Sequence, residues 1–142
     1  TCRDNGRTNY QWDTTANAGF STGTPWIKTN PNYKEINAAQ QETDPTSCLN
    51  YFRKLVQLRK DNIELVYGKY SVIDRANPSV YAYTREYKGT KDLILLNFTS
   101  QPAEVNTQTT GGSVLIGNYA DSPAVQPTMT LRPYEAIVIR TE

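Results

Sequence analysis

Histidine is absent from the 142 residues, and that gap removes a good deal of chemistry. No Ser-His or Cys-His nucleophile and no His-ligated metal centre can be assembled within the chain, which limits acids, bases and nucleophiles to carboxylates, Tyr, Lys, Cys and hydroxyls. Cysteine is nearly as scarce. Cys2 and Cys48 are too few for a disulfide scaffold and lack the Cys-x-x-Cys spacing of zinc or redox sites. Cys48, inside a helical pattern, reads as a buried small hydrophobe and Cys2 as an exposed residue, and the pair leaves the compartment open between cytoplasm and an oxidising space such as a periplasm. Neither sign of charge is in surplus, since 15 Lys and Arg face 14 Asp and Glu for a formal charge of +1. A surface that neutralises phosphates needs a basic excess, so no nucleic-acid partner is expected. The sequence holds no run of about 18 apolar residues, and no membrane span is expected. Thr1 is preceded by neither Met nor a basic-then-apolar leader, which reads as a piece of something longer. The 37% of apolar residues suffices for one modest core.

What is present changes character along the chain. Residues 1–43 are polar and punctuated by Asn, Gly, Thr and Pro, with neither a helical nor a strand period sustained. Loops longer than about 12 to 15 residues are uncommon unless functional or disordered. Disordered segments are poor in aromatics, yet Tyr10, Trp12, Phe20, Trp26 and Tyr33 all fall here, so a structured, binding-type loop is expected. Thr43-Asp44-Pro45 then supplies a cap and a residue suited to a first helical turn, and Leu49, Phe52, Leu55, Val56 and Arg59 recur three or four apart. The spacing predicts a helix over about 45–61, with Arg59 and Lys60 complementing its dipole.

Beyond Asn62 the pattern is β-like. Short runs rich in Val, Ile, Thr and Tyr predict strands over about 65–74 with a bend at Gly68, then 79–87, 93–98, 103–107, 113–117, 127–131 and 134–141. Lys88-Gly89-Thr90-Lys91-Asp92 reads as a hairpin connection. Leu93-Ile94-Leu95-Leu96-Asn97-Phe98 is apolar on both sides, which places it mid-sheet with both faces covered and implies two packed antiparallel sheets.

No carboxylate pair is specified by spacing. Asp4, Asp13, Glu35 and Glu42 read as turn caps or partners of Arg3, Arg7, Lys28 or Lys34. Planar hydrogen-bonding side chains do alternate with aromatics from Arg3 to Asp13, a mixture suited to sugars: a guanidinium grips vicinal hydroxyls two-pronged, and Trp or Tyr offers an apolar platform to a pyranose face.

The segment Arg3-Asp4-Asn5-Gly6-Arg7-Thr8, Gln11-Trp12-Asp13, Asn17-Ala18-Gly19-Phe20, Gly23-Thr24-Pro25-Trp26 and Asn30-Pro31-Asn32-Tyr33-Lys34-Glu35-Ile36-Asn37 resembles a motif series of the oligo-1,6-glucosidase and α-glucosidase branch of the α-amylase superfamily, the thirteenth glycoside hydrolase family. The similarity continues through Asp44-Pro45, Tyr51-Phe52-Arg53-Lys54-Leu55 and Leu58-Arg59-Lys60, and near the end through Leu131-Arg132-Pro133-Tyr134-Glu135-Ala136. It departs at Asn9-Tyr10, where the family usually has Pro-Met.

The resemblance implies a mainly β chain with an N-terminal α segment: residues 1–63 as the active-site loop and final helix of an incomplete (β/α)8 barrel, and 64–142 as a C-terminal antiparallel β-sandwich. It implies that Arg3 lines the subsite of the non-reducing-end glucose, that Arg7, Asp4 and Asn5 brace the loop or touch sugar, and that Trp12, Trp26 and Tyr33 border the pocket or pack beneath the loop. The substrate-binding set is therefore Arg3, Arg7, Trp12, Trp26 and Tyr33, with no metal and no cofactor. The family's nucleophile Asp, acid/base Glu and stabilising Asp lie on earlier barrel strands, and no segment resembles their motifs, so the chain alone is expected to be inert. The implied partners are the catalytic barrel of the same polypeptide and an α-glucosidic oligosaccharide, with self-association through the helix stripe if that barrel is missing. A separate carbohydrate-binding or accessory β domain using Tyr70, Tyr81, Tyr83, Tyr87 and Tyr119 is the alternative, although Tyr81 and Tyr83 also suit simple coverage of one sheet face. A protein-interaction module resting on exposed aromatics is the third.

Overall fold

The computed structural model describes residues 2–122 and 124–141, and the side chains of all of these except Cys2 and Arg3. The chain divides into two compact units, Thr1–Lys54 and Leu55–Glu142. The first is built of short helical turns and loop. The second carries seven strands among the described residues: β1 Lys69–Ile73, β2 Val80–Tyr87, β3 Thr90–Asn97, β4 Ala103–Asn106, β5 Ser113–Gly117, β6 Thr128–Leu131 and β7 Ala136–Thr141. All pairings are antiparallel, in a five-stranded sheet of order β1-β2-β3-β7-β5 and a two-stranded sheet β4-β6.

Strand β3 lies at the centre of the larger sheet, as its two-sided apolar run predicts. One face of that sheet contributes Val80 and Ala82 from β2, Leu93 and Leu95 from β3, and Ile137 and Ile139 from β7 to a core completed by Ala103, Val105, Met129 and Leu131 of the smaller sheet and by Val125. The alternation of period two is what puts these residues on one side. Tyr70, Tyr81 and Tyr83 lie on the other face, with ring centroids 5.3 Å apart in each neighbouring pair and a hydroxyl–hydroxyl bond of 2.5 Å between Tyr70 and Tyr81. The β2–β3 connection is tighter than the five-residue hairpin expected: Tyr87 pairs with Thr90, leaving only Lys88 and Gly89, both at positive φ, the conformation a two-residue turn requires.

Among the described residues four α-helices accompany the strands: α1 Cys2–Asn5, α2 Ala38–Thr43, α3 Cys48–Asp61 and α4 Glu64–Tyr67. Three departures from expectation occur here. Helix α3 starts later than residue 45 because Asp44 caps its own turn, accepting from the Thr46 amide at 2.8 Å and hydroxyl at 2.6 Å, while Ser47 Oγ receives the Asn50 amide at 3.2 Å and begins the helix. No residue of α3 is buried, Phe52 is 63% exposed, and Cys48 is exposed too, contrary to its reading as a core residue. The expected strand over 65–74 is divided, since residues 64–67 form α4, whose turn closes through bonds from Tyr67 N to Ile63 O and Gly68 N to Glu64 O, both 2.9 Å. Burial of Glu64 against Arg140 holds this turn, a long-range contact that local apolar spacing does not encode. Among the described residues no helix is long and apolar enough to cross a membrane.

Gly68 joins α4 to β1 where a Cβ would run into the Glu64 carbonyl oxygen and come within 2.9 Å of the Glu86 amide nitrogen. A Gly68→Ala substitution is expected to cost about 3 kcal/mol in urea unfolding, because backbone atoms cannot step aside. At Gly89, with φ of +87° and nothing within 4 Å, the same change is expected to cost only about 1 kcal/mol of backbone strain. Equal losses at the two positions would refute the steric account of the α4–β1 corner.

Candidate functional site

The first unit has little apolar interior. Of its described hydrophobic residues only Ala18 is fully buried, while Tyr10, Trp12, Phe20 and Trp26 are half or more exposed. Its shape therefore rests on local polar contacts. Asp13 Oδ1 accepts from the Thr15 amide at 2.8 Å and hydroxyl at 2.5 Å, which holds its carboxyl below the usual carboxylate range. The chain then turns through three consecutive left-handed residues, Asn17, Ala18 and Gly19. The Ala18 carbonyl so placed receives the amides of Trp12 at 2.9 Å and Asp13 at 3.3 Å, and the Asn17 side chain donates to the carbonyls of Ser21 and Gly23. Left-handed geometry at non-glycine residues is costly and persists only where neighbours enforce it.

The loop's later half is tied to its earlier half. The first amides of α2, at Ala38 and Ala39, donate to the carbonyls of Gln11 and Trp12, each at 2.9 Å. Buried Asn37 caps α2 by accepting from Gln40 N at 2.9 Å and donates to the Tyr33 carbonyl at 2.9 Å. Asn9, where the resemblance would place Pro, instead reaches across twenty residues to the Thr29 hydroxyl at 3.1 Å, and Tyr10 packs edge-on to Trp12 with centroids 4.6 Å apart. Glu42 is committed to Arg53 through two 2.6 Å bonds, which hold its carboxyl low. That partner lies on α3, outside the first segment.

Within this unit lies a cleft of about 600 Å³ lined by Asp4, Asn5, Thr8, Trp26, Ile27, Lys28, Thr29, Asn30 and Pro31. Its size is that of a small-molecule site. Of the residues singled out from sequence, Trp26 borders the cleft and is 83% exposed, and Arg7 lies 5.8 Å from the Trp26 ring centroid in cation–π geometry. Trp12 and Tyr33 are not among the lining residues; Trp12 packs on Tyr10, and Tyr33 is half-buried at a 3₁₀ turn begun by Asn30 and Pro31. The side chain of Arg3 lies outside the described residues. Asp4 and Lys28, which sequence reasoning treated as braces or charge partners, line the cleft and bring one carboxylate and one ammonium to its wall. Their signal in the sequence was proximity: each lies within two positions of a residue already selected.

Residues 1–68 match the model of the α-amylase catalytic domain, and residues 70–138 match that of the maltogenic amylase C-terminal domain. The chain is 44% identical over 144 residues to an oligo-1,6-glucosidase of Bacillus cereus and 40% identical over 144 residues to a trehalose-6-phosphate hydrolase of Bacillus subtilis, in each case across 97% of this chain. It covers 25% and 26% of those two proteins, so it spans about a quarter of the length of the curated relatives it matches. Among solved structures, trehalulose synthase MutB from Pseudomonas mesoacidophila superposes with a TM-score of 0.92 at 39% identity, over 99% of this chain and 26% of that one.

A Cβ on Gly19 would sit 2.7 Å from both Asp13 carboxylate oxygens while φ stays at +67°. Gly19→Val is therefore expected to break the left-handed turn and to expose residues 12–23 to limited proteolysis, leaving the β-sheet circular dichroism unchanged. A wild-type digestion pattern would show that the turn does not organise the loop.

Proposed function

We infer, for a chain that belongs to the α-amylase superfamily of glycoside hydrolases, that it supplies one wall of an α-glucosidase-type active site and the β domain that follows it. In this reading residues 1–63 are the loop and last helix that complete a (β/α)8 barrel, and 64–142 are the C-terminal sandwich. The cleft bordered by Trp26 and Asp4, in a loop whose course is fixed by polar contacts, is the observation that carries the reading. Active sites of such barrels are assembled from loops at one end, so a loop with a defined wall and little core of its own suits the task.

The intact enzyme would cleave α-glucosidic bonds of short oligosaccharides by a retaining, double-displacement route. That route needs a nucleophile and an acid/base carboxylate about 5 to 5.5 Å apart, and these would come from the barrel. Arg3 would grip hydroxyls of the non-reducing-end glucose, and Arg7, held over Trp26, would keep that ring at the rim. Trp26 would offer its open face to a pyranose, while Trp12 and Tyr33 would support the loop from behind. Asp4 joins this set, since a carboxylate on the cleft wall accepts sugar hydroxyls as readily as a guanidinium donates to them.

Two measurements test this. The 142-residue chain alone is expected to release no glucose from isomaltose or a nitrophenyl α-glucoside, and turnover by the clean chain would overturn the reading. Grafted in place of the matching segment of the Bacillus cereus oligo-1,6-glucosidase, it is expected to sustain isomaltose hydrolysis. In that chimera Arg3→Ala should lower kcat/KM about a hundredfold, the loss of roughly 3 kcal/mol of charge-assisted hydrogen bonding. A folded chimera indifferent to Arg3→Ala would remove Arg3 from the subsite.

A further inference from the structure

Three arginines converge on α4 from the second unit. Arg85 on β2, Asp92 on β3 and Arg140 on β7 are in register across the larger sheet and share the face opposite the core. Arg85 donates to the Val66 carbonyl at 2.9 Å, and Arg59 from α3 donates to the Leu65 carbonyl at 2.7 Å, so the free carbonyls of α4 are satisfied by cations. Arg140 is shared more widely. Its Nη2 donates to Glu64 Oε1, to Asn62 Oδ1 at 2.7 Å and to Asp92 Oδ2 at 3.3 Å, and its Nε donates to Asp92 Oδ1 at 3.0 Å. Asp92 is fully buried and Glu64 nearly so.

The arithmetic of charge is what matters. Two buried carboxylates meet one guanidinium, while Arg85 and Arg59, the other cations directed at α4, are spent on carbonyls. With both acids ionised, the node holds a net negative charge away from water. With one proton on Asp92, Arg140 and Glu64 form a neutral pair and Asp92 becomes a neutral hydrogen-bonding group. We propose that the Glu64–Arg140–Asp92 node is a proton-dependent latch, holding α4 on the sheet more firmly when Asp92 is protonated than when it is ionised. Burial pushes the Asp92 carboxyl up to about 6, which brings the change within a physiological span.

The sign is opposite to that of an ordinary surface ion pair. A carboxyl whose folded value is raised above its unfolded value of 3.8 contributes stability that is fully present below about pH 4 and is lost as pH rises through about 6. The folded-to-unfolded ratio should fall by about a hundredfold from this group across that interval.

The test measures Asp92 directly and then the latch. Carboxyl carbon NMR on the 142-residue chain should show Asp92 titrating near pH 6, and hydrogen exchange corrected for intrinsic rates should show the Tyr67 and Gly68 amides losing protection between pH 5 and 7. Asp92→Asn, which fixes the neutral form, should abolish that loss and hold both amides at the low-pH level. Glu64→Gln leaves Arg140 to Asp92 alone and should lower the pH at which Asp92 titrates, while its burial keeps it above the ordinary carboxylate range. Titration of Asp92 below pH 4.5 in the unaltered chain, or the same loss of amide protection in Asp92→Asn, would overturn the proposal; the titration decides it even if a variant fails to fold.

Discussion

A central strand that is apolar on both sides has to be covered on both sides, and most of the second unit follows from meeting that demand at β3. One side is straightforward: Leu93 and Leu95 meet the small β4–β6 sheet, and dense packing of branched side chains seals them from water. The other side is mixed. Ile94 is buried, Leu96 is partly covered, and Asp92 occupies the same face at the strand's start. A carboxylate in that position has to find partners, and it finds Arg140 on β7. Arg140 in turn recruits Glu64 and Asn62, and the short helix α4 is held to the sheet as a consequence. The tyrosines of β1 and β2 add aromatic faces and a shared hydroxyl bond to that side, where a cleft remains over Ile94, Leu96 and Val138.

This explains which parts of the fold were legible in the sequence. Runs such as Val80–Tyr87 and Leu93–Asn97 carry their strand identity in alternation and β-branched content, and these are properties of neighbouring residues. Turn chemistry was nearly as readable at Lys88-Gly89, although the short form of the hairpin depended on Lys88 accepting a left-handed conformation. The failures have a common cause. Residues 64–67 look like the beginning of a strand because Leu65 and Val66 are apolar, but their conformation is set by Arg85 and Arg140, some twenty and seventy-odd positions away. Cys48 and Phe52 fall on a helical stripe that predicts burial, yet both are exposed and Leu49, Leu55, Val56 and Leu58 are only half-buried among the described residues, since a periodic stripe states only which side is apolar and not that a partner is present.

The site was readable in kind and less so in membership. Alternating guanidinium, amide and aromatic residues single out the first segment, and the structure places in it a cleft that Trp26 borders, with Arg7 against the Trp26 ring. Sequence could not separate residues that face the cleft from residues that build its frame. Trp12 and Trp26 are equally large and both exposed, but one is turned onto Tyr10 and the other toward Asp4 and Lys28. That distinction arises from the left-handed turn at Asn17–Gly19 and from the bonds of α2 to Gln11 and Trp12, neither of which has a periodic signature.

The two units thus solve opposite problems with the same 20% of charged residues. The β unit gains its order from apolar packing and places its buried charges where they join secondary-structure elements. The loop unit lacks a core of comparable size, so its fixed points are polar: Asx turns, caps, side chains bound to carbonyls and backbone bonds that tie α2 to Gln11 and Trp12. Such contacts are short-range and directional, and they hold a backbone course without demanding that its aromatics be buried. The exposed Trp26 and the carboxylate of Asp4 on the cleft wall are compatible with that arrangement, because a core deep enough to stabilise the loop by itself would have drawn such side chains inward.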